Sequence, residues 1–512
     1  MDELLLSAVA RSLGQVLGVG RVRVTLEGHG RDVALPGVDV SRTVGWFTAA
    51  YPVVLDCAGR GSEGDLLRAV RDSVRTVSGR GASYGMLRHL RADDLSRELG
   101  AQPAPPVAFN YLGQFDGLAA GLTLLEPANE GTGLSKAPGA LRTEVLSVGA
   151  RVLKERLRLE WTYSEHLHPR ATIEALAGAT LESVRALVAL RATPDALRYT
   201  PADFPLAKLS ADVLERILPP GEAVEDVYPL SPLQEGLLFH GILSPESGAY
   251  FEQVSCSFHA PLNVQAFHRA WQEAVATEPV LRTAFRWEGL ERPRQVVFAR
   301  AELPWCELDW RGLSPEEQEA RLVALRAEDR ARGLELTHAP LMRMSLIRMD
   351  ARVHHLVWSF HHLLMDGWSV GLLLRRIFSL YEAFGQGRAL PPSEGATFRD
   401  YIAWLQQQDL GRAERYWREA LAGFTQPTPL PEDRGLARAS DSRVLRRLSL
   451  SNSVTSALQE FARQQQVTLN TLVQAAWGLM LGRARAWRTS SSGRRCPDVR
   501  RRSKASRARW AC

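Results

Sequence analysis

Val353-His354-His355-Leu356-Val357-Trp358-Ser359-Phe360 runs directly into His361-His362-Leu363-Leu364-Met365-Asp366-Gly367-Trp368-Ser369. The first half reads as a buried strand. The Asp366-Gly367 pair then turns the chain, and a helix is expected from Val370 with Ser369 as its cap. A histidine where a strand ends sits at the mouth of a sheet, and an imidazole with an unperturbed pKa of about 6.5 suits proton abstraction near neutrality. Side chains alternate along a strand, so His361 and His362 should point to opposite sides, one toward reactants and one into the core. His354 and His355 read as satisfied core residues. Adjacent strand histidines diverge and no His-Glu-x-x-His pattern is present, which argues against a metal site.

Outward from this stretch, strands are expected at 250–258, 295–298, 341–348 and 353–360, and helices at 264–278, 315–330, 370–384, 398–408 and 412–421. Upstream, strand-like runs at 21–26, 51–56, 107–110 and 156–163 alternate with helical ones at 64–76 and 171–190. Apolar residues at Ile173, Leu176, Ala177, Leu181, Val184, Leu187 and Leu190 give the last helix one buried face. Such interleaving means a mixed α/β architecture. Between the two regions lies a proline- and glycine-broken linker in which 206–218 could form a short helix.

Composition narrows the function classes. Apolar residues at 45% and charged residues at 23% are ordinary for globular domains, and no run is long and apolar enough for a membrane span. The acidic start Met1-Asp2-Glu3 lacks the basic region of a signal peptide, so the cytoplasm is the default location. Five scattered cysteines without a Cys-x-x-Cys spacing argue against a disulfide framework or a cysteine zinc site. The net charge of +6 invites a nucleic-acid reading, but residues 482–512 carry +10 of it and the rest sums to −4. That tail competes between a basic arm and an out-of-frame translation. Its haphazard Trp487, Trp510 and Cys512 among arginines favour the second, and nucleic acid is not expected as a partner.

The motif set resembles a known family. His361-His362-x-x-x-Asp366-Gly367 is similar to the signature of condensation domains of nonribosomal peptide synthetases, whose fold is like that of chloramphenicol acetyltransferase. Tyr228-Pro-Leu-Ser-Pro-Leu-Gln-Glu-Gly-Leu-Leu-Phe-His240 resembles the opening motif, in the form of the subtype that takes a D-configured donor onto an L acceptor. Glu278-Pro-Val-Leu-Arg-Thr-Ala-Phe285 resembles the second, with Thr277-Glu278 in place of the usual Arg-His pair, and Phe398-Arg-Asp-Tyr-Ile-Ala-Trp404 the fourth. The resemblance implies that His362 deprotonates or positions the acceptor amine and that Asp366 fixes the loop. His361 and Gly367 complete the signature, and Trp368 and Ser369 fall along the substrate channel.

The first 195 residues resemble the C-terminal half of an epimerisation domain. Glu27-Gly28-His29-Gly30-Arg31-Asp32, Arg42-Thr-Val-Gly-Trp-Phe-Thr48 with Tyr51-Pro52, a weaker Ser83-Tyr84-Gly85, and Phe109-Asn110-Tyr111-Leu112-Gly113-Gln114 match its motifs in order. The resemblance makes Glu27 an acid/base for the α-proton and places Asn110 and Tyr111 in the channel. Without it, Glu27 reads as a carboxylate paired with Arg31 or a neighbour.

The fold expected is therefore α/β: two chloramphenicol-acetyltransferase-like lobes, each a mixed sheet flanked by helices, joined by a linker and followed by a disordered basic tail. The C-terminal lobe of an epimerisation domain spans 1–195 and the linker 196–223. The N-terminal lobe of a condensation domain and the start of its second lobe span 224–481, and the tail 482–512. The expected partners are peptidyl carrier domains and neighbouring synthetase modules, which present phosphopantetheine-tethered substrates; no Gly-Gly-x-Ser carrier site lies in this chain. A truncated pair of lobes with little activity of its own is one expectation, and a carrier-docking fragment without catalysis is the alternative. The two lobes could also pair with each other around His362, against which the reversed chain order speaks.

Overall fold

The computed structural model describes residues 1–31, 39–40, 42–57, 61–114, 142–153, 155–190, 199–219, 221–243, 248–388, 395–425 and 446–491. Asp32, the start of the linker and the tail beyond residue 491 lie outside them. The chain opens with a helix that the expected elements do not include, α1 (Asp2–Leu17), with acids in its first turn and Gly18 ending it at φ 67°. Among the described residues five strands follow in the first lobe: β1 (Arg21–Gly28), β2 (Ala49–Asp56), β3 (Val107–Gln114), β4 (Leu146–Leu153) and β5 (Arg156–Tyr163). Their order is β2-β1-β3-β4-β5; β1 and β4 run parallel to β3, and the outer pairs are antiparallel. Val22, Val24 and Leu26 alternate into a core with Val53, Leu55, Phe109 and Val148.

Three helices supply residues to this core: α1, α2 (Glu63–Arg75) and, after the short α3 (Ala82–His89) and α4 (Asp94–Ala101), α5 (Arg170–Ala189). The buried face of α5 is Ile173, Leu176, Thr180, Ser183 and Leu187, whereas Leu181 is exposed. The helix is turned from the expected stripe because two polar residues have partners inside. Thr180 donates to Ser12 of α1 at 2.8 Å, and Ser183 to Glu63 of α2 at 2.9 Å.

Among the described residues the second lobe holds two sheets. The three-stranded one is ordered β6 (Val224–Pro229), β9 (Arg294–Phe298), β8 (Thr283–Arg286), and the four-stranded one β10 (Trp305–Asp309), β11 (Met342–Arg348), β12 (His354–His361), β7 (Phe251–Phe258). Strand β12 is covered on both faces, as its apolar run predicts. Leu356, Trp358 and Phe360 pack among Phe267 and Trp271 of α8 (Val264–Thr277) and Ile377 and Leu380 of α10 (Gly367–Gln386). Val357 packs on the other side with Leu322 of α9 (Pro315–Arg332). Among the described residues, the remaining helices up to residue 408 are α6 (Ala211–Ile217), α7 (Pro232–Leu243) and α11 (Phe398–Gln406).

The stretch expected to be a linker is built into the protein where it is described. Phe204, Ala207, Leu214 and Ile217 belong to the second lobe's core, and α6 is shorter than the helix expected over 206–218. Met1–Gln408 form one compact unit. The second, from Asp409, contains α12 (Leu410–Ala420), α13 (Asn452–Gln464) and α14 (Leu469–Ser491), the last running past Leu481 into the stretch expected to be a disordered tail. Mixed sheets flanked by helices are thus the architecture, as expected. Among the described residues, no helix is long and apolar enough to cross a membrane.

Candidate active site

The end of β12 is held from both sides. His361 donates its backbone N–H to Leu341 at 3.0 Å, beside β11, and His362 donates to Tyr250 at 2.8 Å, beside β7. Tyr250 has φ 66°, a conformation that β-substituted residues rarely adopt. The two histidines differ in burial. His361 is buried at 7% exposure, and His362 is only partly covered.

Burial, followed by the neighbouring charge of His362, pushes His361 down to about 4, so it is neutral at pH 7. Its Nδ1 accepts the N–H of Leu363 at 3.2 Å, which fits that state. The His362 Nδ1 lies 2.8 Å from the Met365 carbonyl oxygen. A carbonyl only accepts, so Nδ1 carries the hydrogen and the lone pair of the neutral ring is on Nε2. A strand-end imidazole with one nitrogen anchored and the other basic can take a proton from an incoming amine.

Asp366, not Ser369, caps the following helix. Its Oδ1 accepts the Ser369 N–H at 2.8 Å, and α10 begins at Gly367, three residues earlier than expected. That bond to the Ser369 backbone, aided by the Ser369 side chain, holds the Asp366 carboxyl below the usual aspartate range. Asp366 is thereby engaged with the start of α10. Trp368 is 79% exposed on the first turn of α10. His354 is buried as expected but its Nδ1 lacks a hydrogen-bond partner, so it is not the satisfied residue expected, whereas His355 is satisfied but only half-buried, bridging Ser255 at 2.8 Å and Ser257 at 2.7 Å.

Glu27 stands at the end of β1 on the face opposite Val24 and Leu26, and its Oε2 accepts from Asn110 Nδ2 at 2.6 Å. The parallel β1–β3 register, Leu26 opposite Phe109, brings the two together. Arg31 is engaged elsewhere, donating to the carbonyls of Val40 at 2.7 Å and Thr43 at 2.6 Å and stacking its guanidinium 4.3 Å from the Phe47 ring. It thereby ties the Glu27 motif to the Arg42–Thr48 motif. Gly30 is required at that junction: φ is 65°, and a Cβ there would meet the Phe47 carbonyl oxygen at 1.7 Å.

Glu27, His29, Asn110 and Tyr111 line a cleft of about 1050 Å³. Asp203 of the linker and Arg399 of α11 also reach it, and His362 is not among its lining residues. As far as the described residues line it, the Glu27 cleft is thus distinct from the loop that carries His362. Among the described residues, no three His, Cys, Asp or Glu side chains gather as a metal cluster would require.

Two contributors are not among the residues that the sequence singles out. Gln234, inside the opening motif, donates to the Leu363 carbonyl at 2.8 Å and so supports the histidine loop. Arg399, inside the fourth motif, pairs with Asp226 at 2.5 Å while facing the cleft. Both lie in motifs already quoted, which is the available signal; their long-range partners are not visible there.

Comparison with known proteins agrees with the condensation-domain signature. The family model described as condensation domain matches residues 1–201 and, separately, 224–493. One of the chains that make up the linear gramicidin synthase of Brevibacillus parabrevis is 40% identical over 487 residues, covering 94% of this chain and 6% of that protein. Another chain of the same synthase is also 40% identical, over 492 residues, with 94% of this chain and 9% of that protein covered. The chain thus spans less than a tenth of the length of these relatives. Among solved structures, the epimerization domain from the third module of tyrocidine synthetase B is similar at 32% identity and a TM-score of 0.33, over 36% of this chain and 41% of that one.

Proposed function

The chain belongs to the condensation-domain family, and from that membership we propose that it serves nonribosomal peptide synthesis, forming a peptide bond between two carrier-bound substrates. In this reaction the amine of the acceptor attacks the carbonyl carbon of the donor thioester, the C–S bond breaks, and the carrier thiolate leaves. His362 Nε2 takes the proton that the amine loses as the C–N bond forms. The observation that carries the proposal is the anchored ring: Nδ1–H on the Met365 carbonyl leaves Nε2 as the basic atom of a partly exposed imidazole. His361 and Asp366 keep the loop in place, and Gly367, Trp368 and Ser369 form the helix start beside it.

The finer reading assigns residues 1–195 to the C-terminal half of an epimerisation domain and 224–481 to the N-terminal part of a condensation domain for a D-configured donor. Two ordered motif sets support it, as do the two separate family matches on either side of residues 202–223. The sequence of events is self-consistent, since the first domain makes the D-residue that the second consumes. In this reading Glu27 exchanges the α-proton, with Asn110 and Tyr111 beside it. Each lobe supplies one side of a two-sided site, so turnover by the chain alone is expected to be low. The partners are peptidyl carrier domains of neighbouring modules, whose phosphopantetheine arms bear the substrates.

The test is a loaded-carrier assay on the purified chain, with and without a supplied complementary lobe. Peptide-bond formation that disappears in His362→Ala supports the proposal; turnover unaffected by that substitution refutes it. Carrier binding with no turnover in either arm favours the second reading, a docking module without catalysis.

A further inference from the structure

A charged brace lies directly beneath the histidine pair, on the face of the sheet covered by α9. Arg343, Ser359 and Gln253 stand opposite one another across β11, β12 and β7. The carboxylate of Asp329 on α9 gathers all three. It accepts from the Arg343 Nε, from the Ser359 hydroxyl, and from Gln253 Nε2 at 2.9 Å. Arg343 also donates to the carbonyls of Gly333 at 2.6 Å and Asp329 at 2.5 Å, closing the C-terminal end of α9 onto the sheet. The Asp329 and Arg343 side chains are only 15% and 13% exposed, so this pair is shielded from solvent.

The row sits two residues from the reactive end. Phe251 is the register partner of His361, and its carbonyl accepts from Arg330, the next residue of α9, at 3.2 Å. The guanidinium groups of Arg330 and Arg343 lie 5.2 and 5.7 Å from the Phe251 ring. Tyr250, immediately before Phe251, holds the His362 N–H, and Leu341, just before β11, holds that of His361. Each histidine therefore hangs from a strand whose position Asp329 fixes relative to β12.

We propose that Asp329 is a positioning residue for His362, locking β7 and β11 to β12 so that the Tyr250 carbonyl meets the His362 amide. This rests on reading His362 as the acting group, but it concerns geometry and is measurable without turnover. Asp329 bonds to β7 and β11, and Tyr250, just before β7, holds the His362 N–H, so the effect passes through the backbone. Replacing the carboxylate by an amide removes the acceptor that three strands share, leaving buried donors that the remaining oxygen cannot satisfy.

The experiment is deuterium exchange on the full chain, combined with ring resonances of isotope-labelled histidine, in which His362→Gln assigns the His362 signal. Asp329→Asn should accelerate exchange at residues 250–251 and 361–362 by about tenfold and displace the His362 ring resonance, while β4 in the first lobe exchanges as before. Ser359→Ala removes one donor and leaves the charge pair in place, so it should do the same more weakly; it keeps the test decisive if Asp329→Asn does not fold. Unchanged His362 signals in a folded variant, or acceleration spread evenly over the second lobe, overturns the proposal. The loaded-carrier result with His362→Ala decides the catalytic reading separately.

Discussion

Gln234 of the opening motif donates its side-chain amide to the Leu363 carbonyl, one residue beyond His362, across 129 positions of sequence at 2.8 Å. Its own oxygen accepts the Ser231 N–H at 3.0 Å, and it exchanges contacts with the buried Gln295. Gln234→Leu would leave the Leu363 carbonyl and Gln295 without these partners inside the core. A loss of about 1–3 kcal/mol is expected. Urea denaturation checks this, and a midpoint equal to wild type would show that the opening motif does not support the histidine loop.

Asp366 acts on α10 as a cap, and its two substitutions should separate that role from a chemical one. Asp366→Ala removes the acceptor for the Ser369 N–H and should cost about 1 kcal/mol, whereas Asp366→Asn keeps an acceptor and should cost a few tenths. The depressed carboxyl gives a sign as well. Its contribution is complete above the ordinary aspartate value of about 4 and fades as pH falls through the lower folded value. Chemical denaturation at pH 7 and below pH 4 measures both effects; an Asn variant as unstable as the Ala variant contradicts the cap.

How far the sequence foretells these features depends on the range of the interaction involved. Strand β12 is legible because an unbroken run from Leu356 to Phe360 satisfies burial on both faces, and the partial exposure of His362 follows from its place at the strand's end. The cap lies three residues from its expected place because Asp366 and Ser369 both favour N-caps. Only the helix start at Gly367 shows that the aspartate receives the N–H of the serine. Thr180 and Ser183 displace Leu181 from the buried face of α5 through bonds to Ser12 and Glu63, far away in sequence. Hydrophobic periodicity carries no information on such pairs. The Glu27–Asn110 bond is half legible: both residues stand out in the sequence, but their meeting depends on the parallel register of β1 and β3.

His361 should make the protein sensitive to mild acid. Burial holds it at about 4 when folded, against an ordinary histidine value of 6.5, so the unfolded chain binds its proton first. Stability therefore rises with pH between these values and levels off above them, a span on the order of 3 kcal/mol. His361→Asn keeps an acceptor for the Leu363 N–H and removes the titration, so its denaturation midpoint should fall less steeply between pH 7 and 4.5. Parallel slopes for the two proteins would mean that the ring is protonated without cost.

Asp203 pins the linker to the first lobe, and its charge should be separable from its local bonds. Arg71 lies 3.2 Å from the carboxylate, Arg75 pairs with it closely, and Glu3 of α1 accepts from Arg75 at 2.6 Å. The same carboxylate accepts the Thr200 N–H at 2.7 Å, closing the turn that leads into buried Phe204. Asp203→Asn can retain the turn but removes the ion pairs. Arg75 is partly open to solvent, so the network should weaken as salt shortens the screening length from about 10 Å at 0.1 M to about 3 Å at 1 M. Limited proteolysis within 199–205 should quicken with salt in the wild type and be fast and salt-independent in Asp203→Asn. Cleavage rates that respond to neither change would mean that Phe204 and its apolar neighbours hold the linker without the charges.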